Sequence, residues 1–500
     1  MLSNIWMGLA NCLVPHHLFT LFLGVFVGIW VGAIPGISGA ITIAILLPIT
    51  FFFTPDLAFI LLVGIYCGTL FGGSISAILF RVPGASTAAA TIFDGYELTK
   101  KGQAGKALGV AILSSALGGL FSAAVLIFTA PLIVNVVLSF GPAEYFSLIV
   151  FGLSVVGGLI AKSPLKGSIM VLLGLFLSTI GVDYTSGVRR LTFGTTTLVS
   201  GLRFIPVMMG VFAVGEVFNF VISGIKKEMK AESGFRAKID LPTGKEVKRL
   251  IPTWIRGSLI GTMIGALPGA GGTFASFMSY TVESKFSKHP EKFGKGVLEG
   301  VAAPETANNA SSGGALIPTL TLGVPGSEIT ALMLAGLTIH GLQAGPLLFI
   351  EQPRFIYTLF MALILANIIM FVMAFPIARI FTTSLLFLPK KILYTSILVI
   401  SLVGAYSIRY NVLDVWTVLI FGIFGYFMRR YHWPEVPLVL GMVLGPMLES
   451  NFRNALLSSH KDFTIFFTRP ISSAFLIIAV SSYVIPIIIS LSKKSSKKFL

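Results

Sequence analysis

Two stretches of the chain, GVFVGIWVGAIPGISG at 24–39 and GSLIGTMIGALPGAGG at 257–272, carry one pattern, Gly-xxx-Gly-xxx-Gly-Ala-x-Pro-Gly-xx-Gly. Gly24, Gly28, Gly32, Ala33, Pro35, Gly36 and Gly39 recur as Gly257, Gly261, Gly265, Ala266, Pro268, Gly269 and Gly272, every pair at the same offset. A second element follows each first one at similar spacing. Gly72-Gly73-Ser74-Ile75-Ser76 leads to Val82-Pro83-Gly84, and Gly313-Gly314-Ala315 leads to Val324-Pro325-Gly326. The chain is a duplicated unit, and that repeat decides the fold.

Composition says what is repeated. Of 500 residues 55% are hydrophobic and 11% charged, and apolar runs able to cross about 30 Å of hydrocarbon recur from Leu18 onward. An all-α polytopic membrane protein is predicted. Candidate spans, some of them broken, lie near 18–34, 40–54, 57–80, 107–138, 143–161, 165–181, 200–224, 252–283, 306–350, 355–380, 392–408, 413–428, 434–448 and 464–491. The net charge of +16 would suggest nucleic acid in a soluble protein. Here basic loops beside membrane spans explain it, so membrane lipid and no nucleic acid is expected as a partner. Cys12 and Cys67 stand far apart without metal-ligand spacing, which predicts neither a disulfide framework nor a metal site. With no basic residue ahead of its first apolar run, the N-terminus reads as part of the first membrane segment.

Lys and Arg cluster at 100–106, 226–249, 285–295 and 493–498, all expected to be cytoplasmic. In the first half the basic loop follows Pro83-Gly84, whereas in the second it follows Pro268-Gly269. The counterpart loops, 52–57 and 340–353, contain no Lys or Arg. Equivalent loops thus face opposite sides, as two repeats of inverted topology require. The expected organisation is a first transmembrane repeat at 1–224, a basic cytoplasmic linker at 225–250, a second repeat with extra C-terminal helices at 251–491, and a basic cytoplasmic tail at 492–500.

Each Pro-Gly element should interrupt a helix, because proline lacks the backbone donor and clashes with the preceding turn. Broken backbone at membrane depth persists only where protein or a water-filled cavity satisfies it. Two such breaks per half, symmetrically placed, point to a substrate site at the midplane. Gly24, Gly28, Gly32 and their counterparts read more simply as close helix packing. The breaks are accompanied by uncharged oxygens: Ser38, Thr42, Ser74, Ser76, Ser86 and Thr87 in the first half, and Thr273, Ser276, Asn308, Asn309, Ser311, Ser312, Ser327 and Thr330 in the second. The candidate substrate site comprises Pro35, Gly36, Ser38, Gly39, Ser74, Ser76, Pro83, Gly84, Ser86, Thr87, Pro268, Gly269, Gly271, Gly272, Thr273, Asn308, Asn309, Pro325, Gly326 and Ser327. Helices restarting after each break would offer free N–H groups to an anion. Unwound carbonyls and side-chain oxygens could hold Na⁺. Arg81, just before Val82-Pro83-Gly84, either counters an anionic substrate or snorkels to the interface.

Asn308, Asn309, Glu305 and Asp94 are the candidates for cation coupling. Pro304-Glu305 also resembles an ordinary helix start with acid in its first turn. Asp94, Glu97, Asp183, Glu216 and Glu328 fall near segment ends, and any that lies in the membrane would be functional because its burial is costly. Enzyme motifs are missing. The sequence contains no phosphate loop of the Gly-xxxx-Gly-Lys-Ser/Thr type, no His-Glu-xx-His pair and no Gly-x-Ser-x-Gly elbow. No catalytic residue and no cofactor beyond a coupling ion is expected.

The strings GAIPGISGAITIAILLPITF, GGSISAILFRVPGASTAAATIFDGYELTKKGQAGKALG, GALPGAGGTFASFMSYTVE and FGKGVLEGVAAPETANNASSGGALIPTLTLGVPGSEITALMLAGLTIHGL resemble the large membrane subunit of the bacterial tripartite tricarboxylate transporters. The resemblance covers nearly the whole chain. It implies a permease of the inner membrane working with a small four-helix membrane subunit and a periplasmic solute-binding protein that delivers citrate or another small carboxylate. The family's Pro-Gly loops fall on Pro35-Gly36, Pro83-Gly84, Pro268-Gly269 and Pro325-Gly326. Ser38 and Ala344 depart from the family pattern, which has glycine and proline there, and both bear on substrate preference. Importing a trivalent anion against about 100 mV, inside negative, costs about 7 kcal/mol, so cations must accompany it. Na⁺ is preferred to H⁺ because the site residues are hydroxyls and amides rather than an evident buried carboxylate relay. The alternatives are a self-sufficient transporter or channel for another small solute and, more remotely, a membrane-embedded enzyme.

Overall fold

The computed structural model describes residues 2–34, 37–160, 163–183, 186–223, 239–383 and 390–482. Its helices are α1 (Leu2–Cys12), α2 (Pro15–Gly32), α3 (Gly39–Thr50), α4 (Pro55–Phe80), α5 (Ile92–Lys100), α6 (Ala104–Val137), α7 (Pro142–Ser154), α8 (Pro164–Ser178), α9 (Phe204–Met208) and α10 (Gly215–Ser223). After residue 239 come α11 (Gly244–Gly265), α12 (Gly271–Phe286), α13 (Leu298–Leu322), α14 (Glu328–Ile339), α15 (Pro346–Glu351), α16 (Pro353–Thr383), α17 (Lys390–Arg409), α18 (Val412–Arg430), α19 (Glu435–Ser458) and α20 (Ile465–Thr468). One two-residue hairpin, β1 (Gly181–Val182) with β2 (Arg189–Arg190), pairs antiparallel. Helix starts follow local chemistry. Pro55 sits in the first turn of α4 with Asp56 beside it, and Thr243 and Glu246 form a capping box on α11. Among the described residues six helical segments are long and apolar enough to cross a bilayer: α2, α4, α6, Phe204–Ile222, α16 and α18. The protein is an all-α, multi-pass membrane protein.

The chain forms two compact units, Met1–Val134 with Phe220–Ile400 and Asn135–Asn219 with Ser401–Leu500. In the larger unit α4 is buried from Ala58 to Leu79 and α13 from Glu299 to Thr321. Helix α2 packs along α4, and α11 packs along α13. A methyl placed on Gly28 would lie 2.6 Å from the Ile65 carbonyl oxygen, and one on Gly261 would lie 2.4 Å from that of Ala307. Only glycine lets these backbones approach so closely, and in lipid such packing rather than hydrophobic burial holds helices together. The packing also aligns the second elements: Gly72 meets Ile29 as Gly314 meets Thr262, and Gly84 sits over Gly73 as Gly326 sits over Ala315. This register sets Gly72 against Gly314, one residue along from the pairing the Gly-Gly strings suggest.

The interruptions stand where the Pro-Gly elements predict. Helix α4 stops at Phe80, α11 at Gly265 and α13 at Leu322, each just before its Val-Pro-Gly or Leu-Pro-Gly. Glu305 does not start a helix. Helix α13 begins at Leu298 and carries Pro304 inside it, so the Pro304-Glu305 pair lies two turns in, in a helix buried on every side. Pro35, Gly36, residues 225–238 of the linker and the tail at 492–500 lie outside the described residues.

In the smaller unit α8 packs along α19, with a methyl on Gly174 falling 2.1 Å from the Leu438 carbonyl oxygen. Helix α18 packs on the π-helical turn Met209–Val214. Met170, Val207, Val211, Met428, Leu438 and Met442 form the apolar cluster between these helices. Asp183 pairs with Arg453 at 2.9 Å, and Glu216 and Glu435 share Arg429. Asp183 and Glu216, singled out in the sequence as functional if they lie in the membrane, are therefore each paired with an arginine.

Candidate functional site

The repeats bring their interruptions together crosswise. The turn after α4 meets the start of α12: Ser86 Oγ and Thr273 Oγ1 lie 2.9 Å apart, and Ser276 Oγ donates to the Thr87 carbonyl at 2.8 Å. The start of α3 meets α14, where a methyl on Gly39 would lie 2.8 Å from Ile329 Cδ1. First element thus faces second element, twice. Pro83 and Gly84 close the α4 break, with the Gly84 N–H donating to the Gly73 carbonyl at 3.2 Å. Gly326 closes the α13 break, its N–H reaching Thr319 Oγ1 at 3.4 Å. Pro325 stands beside it, buried, while Pro268 and Gly269 turn the chain between α11 and α12 with Gly269 at φ +70°.

The restarting helices differ in how they finish their first turn. Ser38 caps α3 by accepting from the Ile41 N–H at 3.3 Å, and Ser327 caps α14 by accepting from the Thr330 N–H at 3.2 Å. Ser38 is therefore an N-cap, a role that the glycine expected there from the resemblance has no side chain to fill. Helix α12 has no such cap: Ala270 precedes it, and Gly271, the counterpart of Ser38, takes φ +60°. Its first turn therefore has no side-chain cap for its N–H groups.

Glu305 is the centre of the polar interior. Its side chain is fully buried, with Oε1 accepting from Ser74 Oγ of α4 at 2.7 Å and from Thr91 Oγ1, the residue before α5. Oε2 accepts from Ser115 Oγ of α6 at 3.1 Å. Three hydroxyls from three elements converge on one carboxyl. Among the described residues, the buried acids Glu144, Asp183, Glu283, Glu299 and Asp414 each face an arginine, whereas Glu305 and Asp94 do not. Asp94 instead accepts from the N–H groups of Gly294 at 3.0 Å, Gly296 at 2.7 Å and Val297 at 2.9 Å, and from Tyr280 Oη at 2.8 Å. Four donors occupy it, so it fastens α5 to the turn before α13.

Asn308 and Asn309 follow Glu305 at the helical spacings that put all three side chains on one face. Asn308 Nδ2 donates to the Leu70 carbonyl at 3.1 Å and Asn309 Nδ2 to the Glu305 carbonyl at 3.0 Å. Because both nitrogens are fixed on carbonyls, the remaining atom of each amide is an acceptor. Among the described residues Asn308 Oδ1, Asn309 Oδ1 and Thr87 Oγ1 are buried and find no hydrogen-bond partner. Asn308 Oδ1 lies 2.8 Å and Ser311 Oγ 3.0 Å from where a methyl on Gly272 would stand, so amide, hydroxyl and the open first turn of α12 share one place. Ser76 turns away, donating to the Gly73 carbonyl of its own helix at 3.3 Å. Sequence reasoning missed Thr91 and Ser115. A serine pair inside the apolar run of α6 was the available signal for Ser115, since polar side chains in a span must find partners.

Interrupted helices from two repeats, meeting around buried oxygens inside a multi-pass bundle, define a membrane transporter. Residues 18–440 match the Tripartite tricarboxylate transporter TctA family, and the chain belongs to it. It is 38% identical to the "Uncharacterized 52.8 kDa protein in TAR-I ttuC′ 3′ region" of Agrobacterium vitis, over 100% of this chain and 99% of that protein. It is 35% identical to the "Uncharacterized protein in TAR-II ttuC′ 3′ region" of the same organism, over 48% of this chain and 99% of the other. No solved structure matches the chain. The resemblance drawn from the sequence strings is thus correct at the level of the family, which is one of transporters and whose tripartite make-up implies partner subunits.

Proposed function

We propose that the chain is the permease subunit of a binding-protein-dependent secondary transporter of the inner membrane, importing citrate-like or related carboxylates by symport with Na⁺ or H⁺. A periplasmic solute-binding protein delivers the solute, a small four-helix membrane subunit completes the complex, and the basic C-terminus is cytoplasmic. The two repeats are inverted, which agrees with the crosswise meeting of first and second interruptions.

One observation carries the reading: among the described residues Glu305 is a buried carboxyl with hydroxyl partners and no cationic one, on the same helix face as two amide oxygens without donors. A carboxylate withdrawn from water loses several kcal/mol of solvation, and hydroxyl donors offset only part of it. Such a group is served by a cation that arrives and leaves. Neutral oxygens of Asn308, Asn309 and Thr87 suit Na⁺, while Glu305 supplies the negative charge that binds either Na⁺ or a proton. The uncapped first turn of α12 is the place for a solute carboxylate, held by backbone N–H groups and hydroxyls. Cation and anion then lie side by side, and each lowers the electrostatic cost of moving the other.

The test is uptake of labelled citrate and related di- and tricarboxylates into vesicles carrying all three components, with Na⁺ and pH gradients imposed separately. Accumulation that requires the binding protein and collapses with one gradient is the expected result. Uptake indifferent to both gradients and to the binding protein overturns the reading in favour of a self-sufficient transporter or channel.

A further inference from the structure

The two second interruptions share their geometry and differ in one side chain. Arg81 ends α4 three residues before Gly84, and Gly323 ends α13 three residues before Gly326. Their backbones nearly coincide, at φ 59°, ψ 19° for Arg81 and φ 70°, ψ 17° for Gly323. This left-handed conformation is free for glycine and strained for any residue with a Cβ. Among the described residues of the larger unit, Arg81 is the one non-glycine with a positive φ. One repeat thus uses the relaxed residue where the other holds an arginine in strain. Strain kept at an interruption, where a relaxed alternative exists, points to work done by the side chain.

The surroundings say what that work is. Gly323 is buried, whereas Arg81 is exposed, five residues ahead of the exposed hydroxyl of Ser86 that meets α12. Its guanidinium lies 5.8 Å from the centre of the Tyr96 ring, a contact that orients a cation without neutralising it. No carboxylate stands within ion-pair distance of it among the described residues. A planar, oriented, uncompensated guanidinium is built to take a carboxylate two-handed.

We infer that Arg81 binds a carboxylate of the transported solute at the α4 interruption, giving the two repeats unequal affinity for the anion. The inference rests on the proposed import of carboxylates and adds the residue that holds the charge. Simple attraction to the negative end of α4, or snorkelling to a lipid headgroup, would need only a positive charge, and lysine would satisfy either.

The experiment compares Arg81→Gly, Arg81→Lys and the unaltered protein, using citrate as the probe in initial-rate uptake and in thermal unfolding of the purified protein. Arg81→Gly places at this site the residue its counterpart already uses, so its melting temperature without citrate should match or exceed that of the unaltered protein. Its KM should rise about tenfold or more, the loss of one charge-assisted carboxylate contact, and its stabilisation by citrate should fall accordingly. Arg81→Lys should show most of the same defect. The inference is overturned if Arg81→Gly keeps both KM and citrate stabilisation, or if lysine restores both. It is also overturned if the only change is a new dependence on anionic lipid, which assigns the guanidinium to headgroups. An unaltered protein that transports and binds no carboxylate removes the proposed function itself.

Discussion

Replacing Glu305 by glutamine separates the two tasks of this carboxyl, holding four elements together and carrying charge. Oε1 takes two hydroxyl donors and Oε2 takes one. Glutamine keeps an oxygen for Ser74 and Thr91 and turns its amide toward Ser115 Oγ, which can accept as readily as donate. Three bonds to a charged acceptor, worth about 1.5–3 kcal/mol each, become neutral ones of about 0.5–1.5 kcal/mol, while the burial cost of a carboxylate, several kcal/mol, disappears. The changes nearly offset, so Glu305→Gln should insert and fold. Glu305→Ala leaves each hydroxyl that finds no other acceptor unsatisfied at about 1–3 kcal/mol. Against a total stability of about 5–15 kcal/mol this predicts poor accumulation of the alanine protein in the membrane. Coupling is another matter. Without a charge to neutralise, the glutamine variant cannot convert an ion gradient into a solute gradient, which takes about 1.4 kcal/mol for every tenfold of concentration. Gradient-driven uptake of labelled citrate, with membrane abundance measured in parallel, is the assay. Well-folded Glu305→Gln protein that accumulates citrate to the wild-type level refutes the assignment.

Glycines at the interruptions should sort by what a methyl meets. On Gly84 it falls 1.9 Å from the Gly32 carbonyl oxygen and 2.8 Å from Gly73 Cα, whereas on Gly271 the nearest atom is Ser327 Cβ at 3.8 Å. Gly84→Ala should therefore spread two helices, costing about 1–3 kcal/mol or more, and lose uptake. Gly271→Ala pays only for its left-handed backbone, about 1–2 kcal/mol, and should lower the melting temperature while keeping transport; the reverse order would contradict the packing. Asp94→Asn sets an amide N–H₂ against backbone donors, at about 1–3 kcal/mol for each donor left unpaired, and should open the 294–297 turn to trypsin at Lys292 and Lys295. Unchanged cleavage would show that Asp94 does not fasten it. Asn308→Ala removes an oxygen that has no donor among the described residues and should raise the Na⁺ concentration for half-maximal uptake. An unchanged Na⁺ dependence would exclude that oxygen from the ion's path.

Much of the scaffold is legible in the sequence because its signals are local or periodic. The Gly-xxx-Gly rows announce close helix packing, since a glycine stripe at that spacing lets two helices touch backbone to backbone, and the structure supplies the partners, α2 with α4 and α11 with α13. The Pro-Gly elements mark the ends of α4, α11 and α13, where a proline that lacks the backbone donor and clashes with the preceding turn is followed by a permissive glycine. The cap at Ser38 was missed, for the sequence reading put that serine in the substrate site although a serine heading an apolar helix is an ordinary cap signal. The carboxyl site was not legible. Thr91, Ser115 and Ser74 lie on elements far from Glu305 in the chain, and nothing local tells which hydroxyls will face it. The preference for Na⁺ rested on hydroxyls and amides standing without a buried carboxylate, and it was this non-local contact that hid one.

The duplicated scaffold also shows where function must break its own symmetry. In the register that sets Gly72 on Gly314 and Gly84 on Gly326, Glu305, Asn308 and Asn309 of α13 stand where α4 has Val63, Tyr66 and Cys67. The equivalent helices are buried alike, yet one presents a carboxyl and two amides and the other presents apolar or weakly polar groups. Ser38 against Gly271 and Arg81 against Gly323 divide the interruptions in the same way. Two symmetric breaks with identical chemistry would bind the same ligand twice. With the coupling cation proposed on α13 and a solute carboxylate proposed at the guanidinium that ends α4, this asymmetry would let one duplicated scaffold hold opposite charges that attract rather than compete.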